Sequence, residues 1–230
     1  MPAPAAVTLD AGLKIPLLEG LAPRDRDLVL AAAASRRFAA NSVITTQGTP
    51  ADRFYLLVKG SVRFFYTTSD GQKILLIWMA PGDAFGGAAV IAKPSQYLLS
   101  SEAVKDSEVL DWDRATFRGF IEKIPRILDN ALCLAVDYLD WYMQAHIALT
   151  CHTARERLAQ VLLGLARSIG EKVPDGIEMN VTNEELANAA NITPYTTSRL
   201  MSSWRKSRAV VKRRGKILLR APEGLLSPAA

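Results

Sequence analysis

At 230 residues with 49% apolar side chains, the chain is long enough to form one large or two small domains with packed cores. Its longest apolar runs fall well short of the roughly 20 residues that span a bilayer, and no secretory leader opens it, so a soluble, cytoplasmic protein is expected. The net charge of +5 is uneven, with +6 on residues 151–230 and −1 on residues 1–150, which indicates a polyanionic partner for the C-terminal part.

Residues 1–123 have the pattern of a small antiparallel β-roll, with a short helix near residues 28–34. Glycines that can mark turns recur at intervals of 12, 11 and 11 residues, at Gly48, Gly60, Gly71 and Gly82. Between them apolar and polar residues alternate as in strands, and residues 69–72 offer a hairpin turn. A further strand is predicted at residues 107–112. Evenly spaced short strands are typical of a jelly-roll.

A long helix is predicted within residues 124–150, with Pro125 in its first turn. A seam follows alternating steps of four and three residues through three heptads, at Leu128, Leu132, Ala135, Leu139, Tyr142, His146 and Leu149. Such a seam either packs on its own domain or pairs with a second copy of the chain. We expect a dimer-forming helix whose flanking apolar residues, such as Leu134 and Tyr138, pack on the roll.

Residues 151–230 form a separate domain in this interpretation, after a hinge at residues 147–153. Thr153 and Glu156 make a capping box, which opens an amphipathic helix that should end near Gly170. A second capping box, formed by Thr182 and Glu185, opens a short helix.

The residues after this second capping box predict a helix-turn-helix. Asn191 tolerates a left-handed backbone, Thr193 can cap a new helix, and Pro194 suits its first turn. Counted from Asn183, the small residue Ala187 falls fifth and Asn191 ninth, which is the spacing of the DNA-binding helix-turn-helix. The second helix is therefore expected to enter the major groove of double-stranded DNA.

One face of this second helix carries the side chains predicted to read base edges, which are Tyr195, Ser198, Arg199 and Ser202. Arg199 can donate two hydrogen bonds to a guanine edge. Residues 194–220 contain nine cations and no anion, and residues 210–220 have the pattern of a β-hairpin, or wing. The predicted phosphate contacts are Thr193, Thr196, Lys212, Arg213, Arg214 and Lys216.

A β-roll, a long dimerisation helix and a winged helix-turn-helix make an α+β fold, and in that order they resemble the Crp/Fnr superfamily of bacterial transcription regulators over about residues 15–222. The run Gly82-Asp-Ala-Phe-Gly86 is similar to that family's turn into its ligand-binding cassette, and Thr197-Ser198-Arg199 to the centre of its recognition helix. The resemblance implies a homodimer that binds a palindromic operator and contacts RNA polymerase. Relatives often have a base-reading glutamate where this chain has Tyr195, so a different operator is expected.

The effector pocket departs further from the family. Relatives that bind cyclic nucleotides have glutamate and leucine where this chain has Gly87 and Ala88, and arginine and serine where it has Tyr97 and Leu98. A buried phosphate without a cation is costly, so cyclic AMP or GMP is not expected. The pocket either takes a small apolar or aromatic molecule or is a filled core without a ligand. The residues predicted to line it are Phe85, Gly86, Gly87, Ala88, Tyr97 and Leu98.

Other sensing and catalytic chemistries lack the residues they need. Relatives with an iron–sulfur cluster use N-terminal cysteines, whereas the first cysteine here is Cys133. A haem would need His146 or His152 as its ligand, and Cys151 beside His152 is either an idle or a redox-sensitive thiol. A cupin-like metal enzyme needs inward-facing histidines, which residues 1–145 lack. We therefore expect no cofactor and no enzymatic activity, with a cyclic-nucleotide-regulated protein of another kind as a remote alternative.

Overall fold

The computed structural model describes residues 12–91, 93, 95–213 and 215–226. Its helices are α1 Pro23–Ala31, α2 Arg114–Lys123, α3 Pro125–Cys151, α4 Ala154–Ser168, α5 Asn183–Ala189 and α6 Pro194–Lys206. Its strands are β1 Ala34–Phe38, β2 Val43–Thr45, β3 Arg53–Thr67, β4 Lys73–Met79, β5 Ala84–Phe85, β6 Ser100–Asp113, β7 Glu171–Val173, β8 Gly176–Met179, β9 Val210–Arg213 and β10 Lys216–Leu219. No helix in the described part of the chain is long and apolar enough to cross a membrane.

The chain divides into two compact units. The first holds the residues up to Lys73 together with Met79–Asp140, and the second holds Ile74–Trp78 and the residues from Trp141 onward. The first unit is the antiparallel roll, and the second contains the helix-turn-helix with its own small sheet. The α+β architecture predicted from the sequence is therefore confirmed.

The roll is built on the long antiparallel pair β3 and β6. Strand β6 lies between β1 and β3, and β2 also pairs with β6. Trp112 at the end of β6 is 1% exposed, and its ring N–H donates a hydrogen bond to the carbonyl of Val29 in α1 (2.7 Å). Phe54 of β3 stacks on Phe117 of α2 with ring centroids 4.2 Å apart. Aromatic side chains thus hold both helices against the sheet.

The glycines of the roll have two different roles. The predicted hairpin at residues 69–72 is confirmed, since the amide of Thr68 donates to the carbonyl of Gln72, and the amide of Gly71 to the carbonyl of Thr68. The predicted turn at Gly60 is wrong, because β3 runs through this residue without reversing. Gly60 has a φ of +99° and lies where the register with β6 shifts. It forms a β-bulge, which bends a strand without ending it.

Two helices in the first unit differ from the prediction. Helix α1 ends at Ala31, and Ala34 already belongs to β1, so the helix lies several residues earlier than predicted. Helix α2 was not predicted, although Asp113 is a good N-cap whose carboxylate accepts the amide of Thr116 at 2.9 Å. Hydrogen bonds from Thr116 lower the pKa of Asp113.

Helix α3 begins at Pro125 as predicted and continues to Cys151, so most of the predicted hinge is helical. One face of α3 packs on the roll. The side chain of Asn130 donates to the carbonyls of Leu17 and Glu19 at 2.9 Å each, and the hydroxyl of Tyr138 donates to the carbonyl of Ala84 at 3.2 Å. Burial raises the pKa of Tyr138, which therefore stays a neutral donor.

The predicted seam lies on a different face of α3, and all seven of its residues are exposed. Leu132, Leu139 and Tyr142 have 57%, 58% and 59% of their surface exposed to solvent. Packing of this seam on the helix's own domain, which was the alternative to a dimer, is therefore wrong for this chain.

The second unit contains α4, α5 and α6 and a sheet with the order β7-β8-β10-β9. Both predicted capping boxes are present, with Thr153 and Thr182 each accepting the amide of the glutamate three residues later. Strands β7 and β8 were not predicted. They are joined by Val173-Pro174-Asp175-Gly176, and Pro-Asp-Gly is a run of residues that is typical of turns.

Gly60→Ala should destabilise the roll. A Cβ at Gly60 would lie 2.2 Å from Oγ of Ser107, whereas a Cβ at Gly48, where φ is also positive (+80°), meets nothing within 4 Å. Both changes cost about 1–2 kcal/mol, because alanine disfavours a backbone with positive φ, but only Gly60→Ala adds a clash. We expect the thermal midpoint, followed by circular dichroism, to fall at least about 4 °C further in Gly60→Ala than in Gly48→Ala. Equal midpoints would contradict the bulge's steric requirement.

Candidate nucleic-acid interface and ligand pocket

The tight turn between α5 and α6 is held by a left-handed residue and an arginine. Asn191 has a φ of +48°, as its position in the sequence predicted. Arg157 of α4 donates to the carbonyls of Ala190 (2.9 Å), Asn191 (3.3 Å) and His152 (2.9 Å). Sequence reasoning missed Arg157, because nothing in its local pattern shows that α4 passes beside the turn. Its guanidinium satisfies carbonyls that the end of α5 leaves open.

Helix α6 begins with a threonine cap that leaves its end attractive to an anion. Oγ1 of Thr193 accepts the amide of Thr196 at 3.1 Å and lies 2.9 Å from Oγ1 of Thr196. Pro194 occupies the first turn, and no carboxylate is present there. Free amides and the helix dipole at such an end favour phosphate. Thr193 is exposed and Thr196 is half-buried, so the two predicted phosphate contacts lie together at this end.

The two faces of α6 differ as the sequence predicted. Thr197, Met201 and Trp204 are buried, and the ring N–H of Trp204 donates to the carbonyl of Leu225 at 3.2 Å. The opposite face carries the residues predicted to read bases. Tyr195, Ser198 and Arg199 are exposed there and Ser202 is half-buried, with Tyr195 at 78% exposure. The buried face holds the helix in place and leaves the polar face open to a ligand.

The predicted wing is the hairpin β9–β10. Lys212, Arg213 and Lys216 are exposed on it, whereas the predicted phosphate contact Arg214 lies outside the described residues. Arg213 and Lys216 also contact acidic residues that the sequence analysis did not connect to them, with Nζ of Lys216 at 2.6 Å from Oε1 of Glu178. The wing is thus rich in cations, and in the structure some of these cations are paired with acidic residues.

The predicted effector pocket is a turn backed by stacked aromatic rings. Gly86 has a φ of +82°, and a Cβ there would lie 2.7 Å from the carbonyl oxygen of Arg53, so the turn requires glycine. Residues 87–89 form a single 3-10 turn. Phe85 is buried between Tyr55 (ring centroids 4.9 Å apart) and Phe64 (5.4 Å). These rings occupy the interior beside the turn.

Tyr97 closes this aromatic cluster and is itself 7% exposed. Its hydroxyl donates to the carbonyl of Arg53 (2.9 Å) and accepts the amide of the same residue (3.0 Å). Burial and the neighbouring Tyr55 raise the pKa of Tyr97, so it remains neutral. Leu98, which was predicted to line the same pocket, is 77% exposed and takes no part in this packing. Of the residues predicted to line the pocket, Phe85 and Tyr97 supply its buried side chains.

The cation closest in sequence to this cluster is already engaged. Arg53, whose backbone holds Tyr97, pairs its guanidinium with Asp111, which is 1% exposed. Arg36 also contacts Asp111, with its Nε at 2.6 Å from the carboxylate. Two arginines offset the charge of this buried carboxylate, and releasing one of them to a ligand phosphate would leave a buried charge less well paired.

The residues weighed for redox or haem chemistry are dispersed. Cys133 and Cys151 are both free thiols on the surface of α3. His146 is exposed, and Nδ1 of His152 lies 3.2 Å from Oε1 of Gln160. Among the described residues, no three His, Cys, Asp or Glu side chains are grouped so that they could hold a metal ion.

Comparison with sequence families matches both units of the chain. Residues 35–124 match the family described as "Cyclic nucleotide-binding domain", and residues 156–227 match the "Crp-like helix-turn-helix domain". The first match covers most of the roll, and the second covers the second capping box, the helix-turn-helix and the wing.

Several known proteins are similar to this chain over most of its length. The "Cyclic AMP receptor protein" of Thermus thermophilus is 30% identical over 186 residues, covering 81% of this chain and 83% of that protein. The "Anaerobic regulatory protein" of Bacillus subtilis is 24% identical, covering 84% and 82%. Among solved structures, FixK2 from Bradyrhizobium japonicum superposes with a TM-score of 0.73 at 24% identity, covering 86% of this chain and 98% of that one. A CRP-family transcriptional regulator from Thermus thermophilus superposes with a TM-score of 0.70 at 25% identity, covering 83% and 94%.

Tyr97→Phe should lower the stability of the roll, because it leaves the buried amide and carbonyl of Arg53 without the hydroxyl. The loss of such hydrogen bonds costs about 1–3 kcal/mol, which corresponds to a fall of about 3–8 °C in the thermal midpoint. Leu98→Ala is the neighbouring control and should change the midpoint by less than about 2 °C, since its side chain is exposed. A Tyr97→Phe variant as stable as the parent would show that the hydroxyl is not needed to close the cluster.

Proposed function

As a member of the Crp/Fnr superfamily of transcription regulators, this chain is a DNA-binding protein, and we propose that it works as a cytoplasmic homodimer on a palindromic operator. In this proposal residues 1–123 form the sensor roll, residues 124–150 the dimerisation helix and hinge, and residues 151–230 the winged helix-turn-helix. Helix α6 enters the major groove, the wing contacts the backbone, and the protein acts together with RNA polymerase. In this proposal it acts as a regulator and not as an enzyme, in line with the relatives described as an "Anaerobic regulatory protein" and as a CRP-family transcriptional regulator.

The exposed face of α6 is the main support for the proposed contact with DNA. Tyr195, Ser198 and Arg199 lie in its first two turns, on the side opposite the buried Thr197 and Trp204. Residues near the start of a recognition helix are the ones that reach base edges. Arg199 can pair with a guanine, and the ring of Tyr195 suits a thymine methyl group. Thr193 and Thr196 would contact phosphate at the same end.

The exposed seam of α3 supports the homodimer. A stripe of leucine and tyrosine side chains at heptad spacing is more than a monomer normally leaves in water. A second copy of the same helix covers it best, because the 3.5-residue repeat matches itself in a coiled coil. Such a dimer would present its two α6 helices to half-sites about one helical turn, or about 34 Å, apart.

The aromatic cluster around Tyr97 supports control without a cyclic nucleotide. Phe85, Tyr55 and Tyr97 pack together where a ligand would need space, and Arg53 is committed to Asp111. The protein is therefore competent for DNA without a ligand, or it responds to a different signal. A selection of random-core palindromic duplexes by the protein without added ligand separates these two cases. Enrichment of one palindrome indicates a competent apo-protein, while weak, salt-sensitive binding without enrichment indicates a missing signal.

Arg199→Ala should abolish the preference for the selected palindrome. A bidentate arginine–guanine contact contributes about 1–3 kcal/mol of discrimination, so the ratio of operator to mixed-sequence affinity should fall about 5- to 150-fold. Affinity for mixed-sequence duplex should change little, as measured by fluorescence anisotropy at two salt concentrations. Arg167→Ala removes an exposed cation of α4 and should leave the ratio unchanged. Equal weakening on all sequences would rule out base reading by Arg199.

Leu139→Glu should convert the dimer into monomers that bind the operator poorly, because it places a charge in the middle of the seam. Sedimentation velocity measures the change directly. Gln144→Glu is the matched control, since it adds the same charge to an exposed site on the other side of the helix. An intact Leu139→Glu dimer, or equal dissociation of both variants, would refute this interface.

A further inference from the structure

Two cations of the wing, and a third just after it, are paired with two carboxylates of the same unit. Arg213 contacts Glu178 (3.2 Å) and Asp175 (3.7 Å), and Lys216 contacts Glu178 at 2.6 Å. Arg220, just after β10, contacts Asp175 at 3.2 Å. We call these five residues the wing ion-pair cluster. Three cations and two carboxylates leave it with a net charge of only +1, although the segment from residue 194 to 220 contains no anion.

Strand register brings the cluster together. Strand β10 lies between β8 and β9, with Leu218 opposite Glu178 on one side and Lys216 opposite Arg213 on the other. Residues two apart on a strand point to the same face, so Glu178, Lys216 and Arg213 share one face of the sheet as diagonal and direct neighbours. Asp175 stands in the β7–β8 turn, beside the end of β10.

The pairing with Glu178 involves hydrogen bonds as well as charge attraction. Both carboxylate oxygens of Glu178 are used, one by Lys216 and the other by Arg213. The hydrogen bond from Lys216 lowers the pKa of Glu178, and the same bond raises the pKa of Lys216. Glu171, opposite Glu178 on β7, adds to the field that raises the pKa of Lys216. Both groups are therefore charged at neutral pH and bound to each other.

Lys212 supplies a contrast within the same hairpin. It is exposed on β9 and lies opposite Ile217, on the face away from Arg213 and Lys216. Within the part of the chain that the structure describes, Lys212 has no carboxylate at ion-pair distance. Among the described residues of the hairpin, Lys212 is therefore a free cation, whereas Arg213 and Lys216 already have anionic partners.

We propose that Glu178, assisted by Asp175, sets the strength of the wing's contact with the DNA backbone by competing with phosphate for Arg213 and Lys216. This inference rests on the proposed contact of the wing with DNA. A phosphate oxygen that binds either cation must displace a carboxylate or share the cation with it, so the net gain in affinity is smaller than a free cation would give. The pair lowers the affinity for duplex of any sequence. It leaves the discrimination by α6 unchanged, because backbone contacts do not read sequence.

Glu178→Gln tests the proposal, since glutamine keeps the shape of the side chain and removes its charge. The probe is a mixed-sequence duplex, titrated with the full-length protein at four or more salt concentrations. Each added phosphate contact steepens the slope of log Kobs against log salt by about 0.9. We expect a slope steeper by about 1 to 2, and an affinity at 0.1 M salt that is about tenfold higher for each phosphate newly bound. The slope does not depend on the fraction of active protein, so partial unfolding cannot imitate the result.

Four further variants identify the cause. Glu178→Gln combined with Lys216→Gln should return the slope close to that of the parent, because carboxylate and cation are removed together. Lys212→Gln should make the slope shallower by about 0.9, and Lys216→Gln alone should have a smaller effect. Glu122→Gln removes one carboxylate from an exposed site on α2 and should leave the slope unchanged. A slope that is unchanged or shallower in Glu178→Gln would show that the cluster only holds the wing in place, and would overturn the proposal.

Failure of this inference differs from failure of the proposed function. Mixed-sequence duplex needs no base reading, so Glu178→Gln can steepen the slope even if no palindrome is enriched by the parent. Enrichment of a palindrome with no change of slope in Glu178→Gln would refute the competition and leave the proposed function standing. Elution from a heparin column is a second readout without DNA, and Glu178→Gln should elute at higher salt than both the parent and Glu122→Gln. Elution of all three at the same salt would count against the inference.

Discussion

The attachment of α3 to the roll is the constraint on which the proposed assembly depends. Asn130 and Tyr138 donate to backbone carbonyls of the roll, and these bonds decide which side of a long apolar helix is buried. Once that side is chosen, the helical repeat turns Leu132, Leu139 and Tyr142 to solvent. Tyr138 reaches the carbonyl of Ala84 in the glycine turn of the predicted pocket. The helix face that would form the dimer is thus oriented by contacts with the part of the roll that would sense a signal.

In the second unit, a similar division of faces organises the DNA-binding helix. Trp204 and Met201 hold α6 in the core, Arg157 holds the turn before it, and Arg199 is left exposed. The wing differs from this helix, because its cations are partly neutralised by Glu178 and Asp175. Together these features describe a domain in which a rigid helix would supply discrimination, while the basic hairpin contributes a limited amount of affinity that does not depend on sequence.

Local patterns predicted the elements whose signals lie within a few residues. Both capping boxes, the hairpin at residues 69–72, the start of α3 at Pro125 and the left-handed Asn191 follow from side chains that act on their own backbone. Gly60 was misread, because glycine permits a positive φ in a turn and in a bulge alike, and only the pairing of β3 with β6 distinguishes the two. The predicted roles of Tyr195, Ser198 and Lys212 remain predictions, although their exposure agrees with them.

Repeats and caps along the chain were enough to predict the helix-turn-helix and the two faces of α3 and α6. Three further features depend on contacts between distant residues. These are the open face of α3, the bonds of Tyr97 to Arg53 and the partial neutralisation of the wing. The last of these joins residues 35, 38 and 45 positions apart, between Glu178 or Asp175 and the cations of the hairpin. Such contacts depend on strand register. The register is set by the packing of the whole sheet and cannot be predicted from a local sequence pattern.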